Sequence, residues 1–206
     1  MNKETVVDKY RYINIEHNWW ELTLEDFSHS LAEKGIYVSE EDIQFSGFNS
    51  QGDGASFTGF ILWGELKKFM ELHGLDEQYA SVYYFAQRQE LKIVINRTPS
   101  HYYHSNTMIL EIDGYIDDDD ESDDDDLRSA VYKKMYQEFE KIHEQFEEAV
   151  LKILKGYAND LYRQLDEEYH YLISDEAVLE AIEANGIDTN INEEKETEHG
   201  ICSDQR

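Results

Sequence analysis

Six side chains in two short segments carry the residue types from which a binding or catalytic site could be assembled. Gln51, Asp53 and Ser56 lie in the string Ser50-Gln51-Gly52-Asp53-Gly54-Ala55-Ser56, and His101, Tyr103 and His104 lie in His101-Tyr102-Tyr103-His104. An amide, a carboxylate and a hydroxyl so close together can hydrogen-bond a small polar ligand such as a nucleotide, and imidazoles and a phenol add proton-transfer groups. Two histidines with Asp53 or His17 could make a two-histidine, one-carboxylate metal site. A spacing of three on a strand or loop, however, turns His101 and His104 to opposite faces, so no metal is expected. No Gly-x-Ser-x-Gly elbow prepares a nucleophilic serine and no Gly-x-x-x-x-Gly-Lys loop cradles phosphates, so no catalytic residue and no cofactor is assigned. The competing reading of the first segment is architectural, because Asn, Asp and Gly build ordinary hairpin loops by bonding their own backbone.

Positioning these groups falls to two hairpins. Ile43, Phe45 and Gly47 alternate with Gln44, Ser46 and Phe48, and Ala55, Phe57, Gly59 and Ile61 alternate again beyond a turn at residues 51–54, where Gly-Asp-Gly supplies the positive φ angles of a tight turn. Leu91, Ile93 and Ile95 alternate with Lys92, Val94 and Asn96 and predict a strand, paired with residues 107–112 through the His101–His104 connection. A short strand is expected at residues 36–38.

Helical spacing surrounds this block. Val6, Val7, Tyr10 and Ile13 predict a helix within residues 3–14, and Asn18, with Glu21 reaching back, caps a second helix that ends at Gly35 in a left-handed cap. Residues 63–72 and the cluster Ala80, Val82, Tyr83, Tyr84 and Phe85 predict two more. From Leu127 onward Val131, Met135, Phe139, Ile142, Phe146, Val150, Ile153, Tyr157, Leu161 and Leu165 recur every three or four residues, predicting a helix of about 45 residues. Ser174 caps a last helix that runs to Asn185-Gly186. The expected class is α+β: a small antiparallel sheet of two hairpins packed against helices, with a long C-terminal helix. One domain is expected over residues 1–186, interrupted by an acidic loop at 116–126 and followed by a polar tail at 187–206.

The long helix raises a problem of size. About 45 residues span about 67 Å, against about 43 Å for the width of a compact chain of this length. Either a kink near Gly156 or a helix-mediated homodimer is therefore expected, the exposed stretch being Tyr132, Met135, Tyr136 and Phe139.

Charge is the most extreme property. The chain of 206 residues has 46 Asp and Glu against 18 Lys and Arg, a net charge of −28. Asp117, Asp118, Asp119, Asp120, Glu121, Asp123, Asp124, Asp125 and Asp126 form a run broken only by Ser122, which mutual repulsion keeps solvated. The run lacks the register of glycine and glutamate that a calcium loop needs. Such acidity opposes direct binding to nucleic acid or an anionic membrane and favours a basic protein partner, with the acidic run as a contact. A lone cysteine, Cys202, precludes an intrachain disulfide, no stretch approaches the length of a bilayer span, and residues 1–5 carry no signal-peptide apolar run, so a cytoplasmic setting in a host cell is expected.

Several strings together resemble one family. They are Lys9-Tyr10-Arg11-Tyr12-Ile13-Asn14 leading into Trp19-Trp20-Glu21, the 45–57 hairpin, His101-Tyr102-Tyr103-His104, Leu161-Tyr162-Arg163-Gln164-Leu165 through Tyr169, and Ser174-Asp175-Glu176-Ala177 to Ala184-Asn185. The pattern is similar to a group of small acidic bacteriophage proteins sometimes labelled "antitoxin of toxin-antitoxin stability system". The chain departs from that group at Asn49, where a bulkier residue is frequent, and at Ser56, where cysteine is common, which weakens any case for a thiol in the site. The resemblance points to a phage product, and the label itself assigns no residue a role; it is the charge that points to a protein neutralising a host toxin, nuclease or defence component by occupying a basic surface in place of nucleic acid. The alternative is a small-ligand or nucleotide-binding protein, or an enzyme, using Gln51, Asp53, Ser56, His101, Tyr103 and His104.

Overall fold

A computed structural model describes residues 3–114 and 127–187. The acidic run at 117–126, Cys202 and nearly all of the polar tail lie outside the described residues. In chain order the elements are α1 (Lys3–Lys9), α2 (Glu21–Ala32), β1 (Ile43–Phe45), β2 (Ala55–Phe57), β3 (Gly59–Leu62), α3 (Trp63–His73), α4 (Ala80–Gln89), β4 (Lys92–Arg97), β5 (Met108–Asp113), α5 (Leu127–Leu172) and α6 (Asp175–Ala184). The class is α+β, with antiparallel strand pairing throughout and a long C-terminal helix.

The expected strand at 55–61 is in fact two strands. β1 pairs with β2, Ile43 opposite Phe57 and Gln44 opposite Ser56. After Thr58 the chain leaves that ribbon, and β3 joins a separate sheet of order β3-β4-β5, with Ile61 opposite Ile93 and Ile95 opposite Leu110. Thr58 donates its N–H to the Asp42 carbonyl, closing the ribbon at the switch. Alternation alone cannot reveal such a switch, since each strand keeps its period of two. Residues 36–38 contribute only a bridge, Tyr37 with Phe60. A side chain at Gly59 would collide with the Tyr37 backbone, so glycine is what allows that bridge to form.

The described residues gather into two compact units, one within 20–166 and the other formed by the segments 3–19 and 167–187. In the larger unit the apolar stripe of α2 is buried through Leu24, Phe27 and Leu31, with the Phe27 ring edge-on to Phe57 of β2 at 5.7 Å. The helix starts later than the Asn18 cap implies, with Trp20 in the cap position, and ends as expected before Gly35 at φ 80°. Phe146, Val150, Leu154, Ala158, Leu161 and Leu165 of α5 are fully buried, each large side chain contributing about 1.5–3 kcal/mol. The stripe drifts by one position from the expected one: Leu154 and Ala158 point inward, whereas Ile153 and Tyr157 are half-buried.

α5 continues through Gly156 without interruption. Two of its early aromatics, Tyr136 and Phe139, are not bare. Phe139 is buried and stacks on Phe85 of α4 at 4.5 Å, and Tyr136 reaches the same ring at 5.9 Å. The chain itself covers Tyr136 and Phe139, so these two rings give no reason for a dimer; the Tyr132 side chain lies outside the described residues.

In the smaller unit Val6 and Val7 of α1 pack with Val178 and Ile182 of α6. α1 is shorter than the 3–14 pattern suggests, giving way to a 3-10 turn at Ile13–Ile15. Arg11 donates to the Ile173 carbonyl at 3.1 Å and pairs with Asp8 and Asp175. The Asn14 amide donates to the carbonyls of Leu172 at 2.9 Å and Ala177 at 3.2 Å. Ser174 caps α6 as expected, accepting from the Ala177 N–H at 3.3 Å.

Candidate functional site

The loop between β1 and β2 closes on itself. Asp53 Oδ2 accepts from the backbone N–H of Ser50 at 2.6 Å and of Asn49 at 2.8 Å, and these bonds hold its carboxyl below the usual carboxylate range. Ser46 Oγ accepts from the Gly54 N–H at 3.2 Å, while the Ser46 N–H donates to the Gly54 carbonyl at 3.0 Å. On its outer side Tyr162 of α5 donates its hydroxyl to the Gly47 carbonyl at 2.9 Å and stacks on Phe48 at 5.6 Å. Burial, with the nearby Asp53 charge, raises the Tyr162 phenol.

The connection from β4 to β5 is closed in the same way. His104 Nδ1 accepts from the Asn106 N–H at 3.0 Å, and the His104 carbonyl accepts from the Thr107 hydroxyl at 2.7 Å. Buried Ser105 donates to Asn159 Oδ1 of α5 at 2.7 Å, and the Thr98 N–H donates to the Thr107 carbonyl at 2.8 Å. Thus both candidate segments are tied to α5 by side-chain hydrogen bonds.

The two segments meet, as a joint site would require, but they meet as packed surfaces. A Cβ on Gly54 would stand 2.9 Å from His104 Cδ2, 3.0 Å from His104 Cα and 3.1 Å from the Tyr103 carbonyl oxygen, and one on Gly52 would stand 2.5 Å from the Tyr102 ring. Neither glycine has a positive φ. The expectation that Gly-Asp-Gly serves the turn through left-handed backbone is therefore corrected: Gly54 is needed because the backbone of Tyr103 and His104 passes directly over it, whereas Gly52 faces only the Tyr102 ring.

Of the six side chains singled out in the sequence, Asp53 and His104 spend acceptor atoms on backbone N–H groups. Ser56 is fully buried on β2, and its hydroxyl faces the Arg97 guanidinium, with Nη1 at 3.4 Å. Tyr103 is half-buried, its ring 5.1 Å from Arg97 Cζ. Gln51 and His101 are exposed. Among the described residues no group of three or more His, Cys, Asp and Glu side chains is placed to hold a metal ion.

The residue that sequence reasoning missed is Arg97, the last of β4. A signal for it was present: residues 91–110 contain no Asp or Glu, in a chain with 46 of them, yet include Lys92, Arg97, His101 and His104. The hairpin that packs against this segment has one carboxylate between Ile43 and Gly64, that of Asp53. The seam is thus a gap in the acidic surface, and only strand pairing brings its two halves together.

Among the described residues no helix is long and apolar enough to cross a membrane. No curated protein and no solved structure matches the chain. A family model described as a domain of unknown function, DUF8835, matches residues 19–175, which include the hairpin, the β4–β5 connection and the part of α5 that holds them, and the chain belongs to that family.

Proposed function

We propose that this protein is a phage-type acidic interaction protein that neutralises a basic host factor, such as a toxin, nuclease or other defence component, by occupying the surface that would otherwise hold nucleic acid. The observation that carries the reading is the surplus of carboxylates: with 46 acidic and 18 basic side chains, pairing every cation still leaves 28 acids without a partner. Among the described residues, Glu140, Glu144 and Glu148 stand exposed one turn apart on α5. Like charges at this spacing each cost a helix about 0.2–0.5 kcal/mol. Glu40, Glu41 and Asp42 add a second exposed trio before β1. A surface of one sign steers an oppositely charged partner and excludes nucleic acid itself. The acting compartment would be the host cytoplasm.

The test is capture of partners on the immobilised chain from host extract, identified by mass spectrometry, with a Glu140→Gln, Glu144→Gln, Glu148→Gln variant alongside. A basic nucleic-acid-binding protein retained by the native chain and more weakly by the variant is expected. Retention of neutral partners alone, equal on both, would overturn the proposal.

A further inference from the structure

Arg97 is the half-buried cation at the centre of the seam, and its bonding capacity is largely unspent. Its Nε is buried with no hydrogen-bond partner, and its Nη1 reaches Ser56 Oγ only at 3.4 Å. A guanidinium carries five donors, and in proteins a carboxylate or phosphate usually takes them in pairs. Among the described residues no carboxylate lies within 4.0 Å of Arg97, although the chain is two and a half times richer in acids than in bases. Arg97 Cζ lies over the Tyr103 ring, 5.1 Å from the centroid, a contact that uses none of its N–H donors. Gln44 stands across the ribbon from Ser56, on the same sheet face, and its buried Oε1 also has no partner. Two residues next to Ser56, its cross-strand partner Gln44 and Arg97, thus each keep a buried polar atom unpaired, a costly arrangement for a fold to keep without use.

We propose that Arg97, Ser56, Gln44 and Tyr103 form a recognition site for inorganic phosphate, which keeps a hydroxyl at neutral pH. Phosphate satisfies both orphan atoms at once: its oxygens accept from the Arg97 fork, and the hydroxyl of the hydrogen-phosphate form donates to Gln44 Oε1. A carboxylate at neutral pH offers acceptors only, so it would leave the Gln44 oxygen unserved. The Tyr103 ring under Arg97 helps hold the fork in place, and the absence of acids from residues 91–110 spares an incoming anion local repulsion. The site is independent of the acidic-partner reading, because it uses the part of the surface from which acids are missing.

The full-length chain, labelled with nitrogen-15, is titrated with inorganic phosphate at pH 7 and constant ionic strength held with chloride; acetate serves as the second arm. The Arg97 Nε–Hε signal and the Ser56 amide are expected to shift saturably with phosphate, with half-saturation of order 1 mM, and at least tenfold more weakly with acetate. Arg97→Lys keeps the charge but loses the fork, and should weaken phosphate binding at least tenfold while its remaining amide signals show an intact fold. Saturation by acetate as readily as by phosphate would overturn the phosphate assignment. A linear drift identical in all three salts, or an unchanged midpoint in Arg97→Lys, would overturn the site altogether.

Discussion

Replacing Gly54 by alanine tests the packing of the seam, and Gly52 provides the matched control. At position 54 the new methyl would lie 3.0 Å from His104 Cα and 3.1 Å from the Tyr103 carbonyl oxygen, both backbone atoms, in a segment held by the His104, Ser105 and Thr107 hydrogen bonds. Neither can swing aside, so the overpacking cost is about 1–3 kcal/mol. Loss of glycine's freedom in the unfolded chain returns about 0.4–1 kcal/mol. The net is a destabilisation of about 1 kcal/mol, or a fall of about 2–4 °C in Tm for a unit of this size. At position 52 the methyl meets only the ring of Tyr102, a side chain 59% exposed and able to rotate away. Gly52→Ala should therefore match the native Tm or exceed it. Thermal unfolding followed by circular dichroism, with urea melts to check that m is unchanged, reads both. A Gly54→Ala protein as stable as Gly52→Ala would refute the description of the seam as two backbone segments in contact.

Three further outcomes are expected. Gly156→Ala, in the interior of α5 with open space where the new methyl would go, should stabilise the chain by about 1 kcal/mol in urea melts. Asn14→Ala leaves the Leu172 and Ala177 carbonyls without that donor and should cost about 1–2 kcal/mol, read as faster amide hydrogen exchange in α6. Burial, with Lys34 nearby, depresses the His73 imidazole, whose Nε2 hydrogen-bonds the Tyr157 hydroxyl at 3.1 Å. Between its folded and unfolded pKa values the unfolded state binds the extra proton, so stability falls as pH drops through about 6.5 and levels below the folded value. The difference in Tm between pH 7.5 and 5.5 should shift toward acid tolerance in His73→Gln.

Local pattern was legible wherever one helix or strand settles its own residues. The Ser174 cap, the end of α2 at Gly35, the strand 92–97 and the length of α5 were all readable because capping and periodicity act within a few residues. What pattern could not give is the parting of β2 and β3 at Thr58, since both halves keep one alternation, or the covering of Phe139 by Phe85, which depends on α4 lying beside α5. The same limit governs the site. Asp53, Ser56, Tyr103 and His104 stood out by residue type; Asp53 and His104 close their own loops through nearby N–H groups, as turn chemistry foretells, whereas Ser56 meets Arg97 and the loop that Asp53 closes meets Tyr162, both far along the chain. Arg97 itself was hidden because a single cation at a strand end draws no notice until pairing places the hairpin beside it.

The central claim, that the acidic surface binds a basic partner, is tested most directly by the salt dependence of that complex. Affinity for the captured partner is measured by calorimetry or biolayer interferometry between about 50 and 200 mM NaCl, over which the Debye length shortens from about 14 to about 7 Å. Attraction between a chain of charge −28 and a basic surface predicts that Kd rises steeply across this range, chiefly through a slower association rate, and that nucleic acid competes for the partner. A Kd indifferent to salt, with no competition by nucleic acid, would contradict the account.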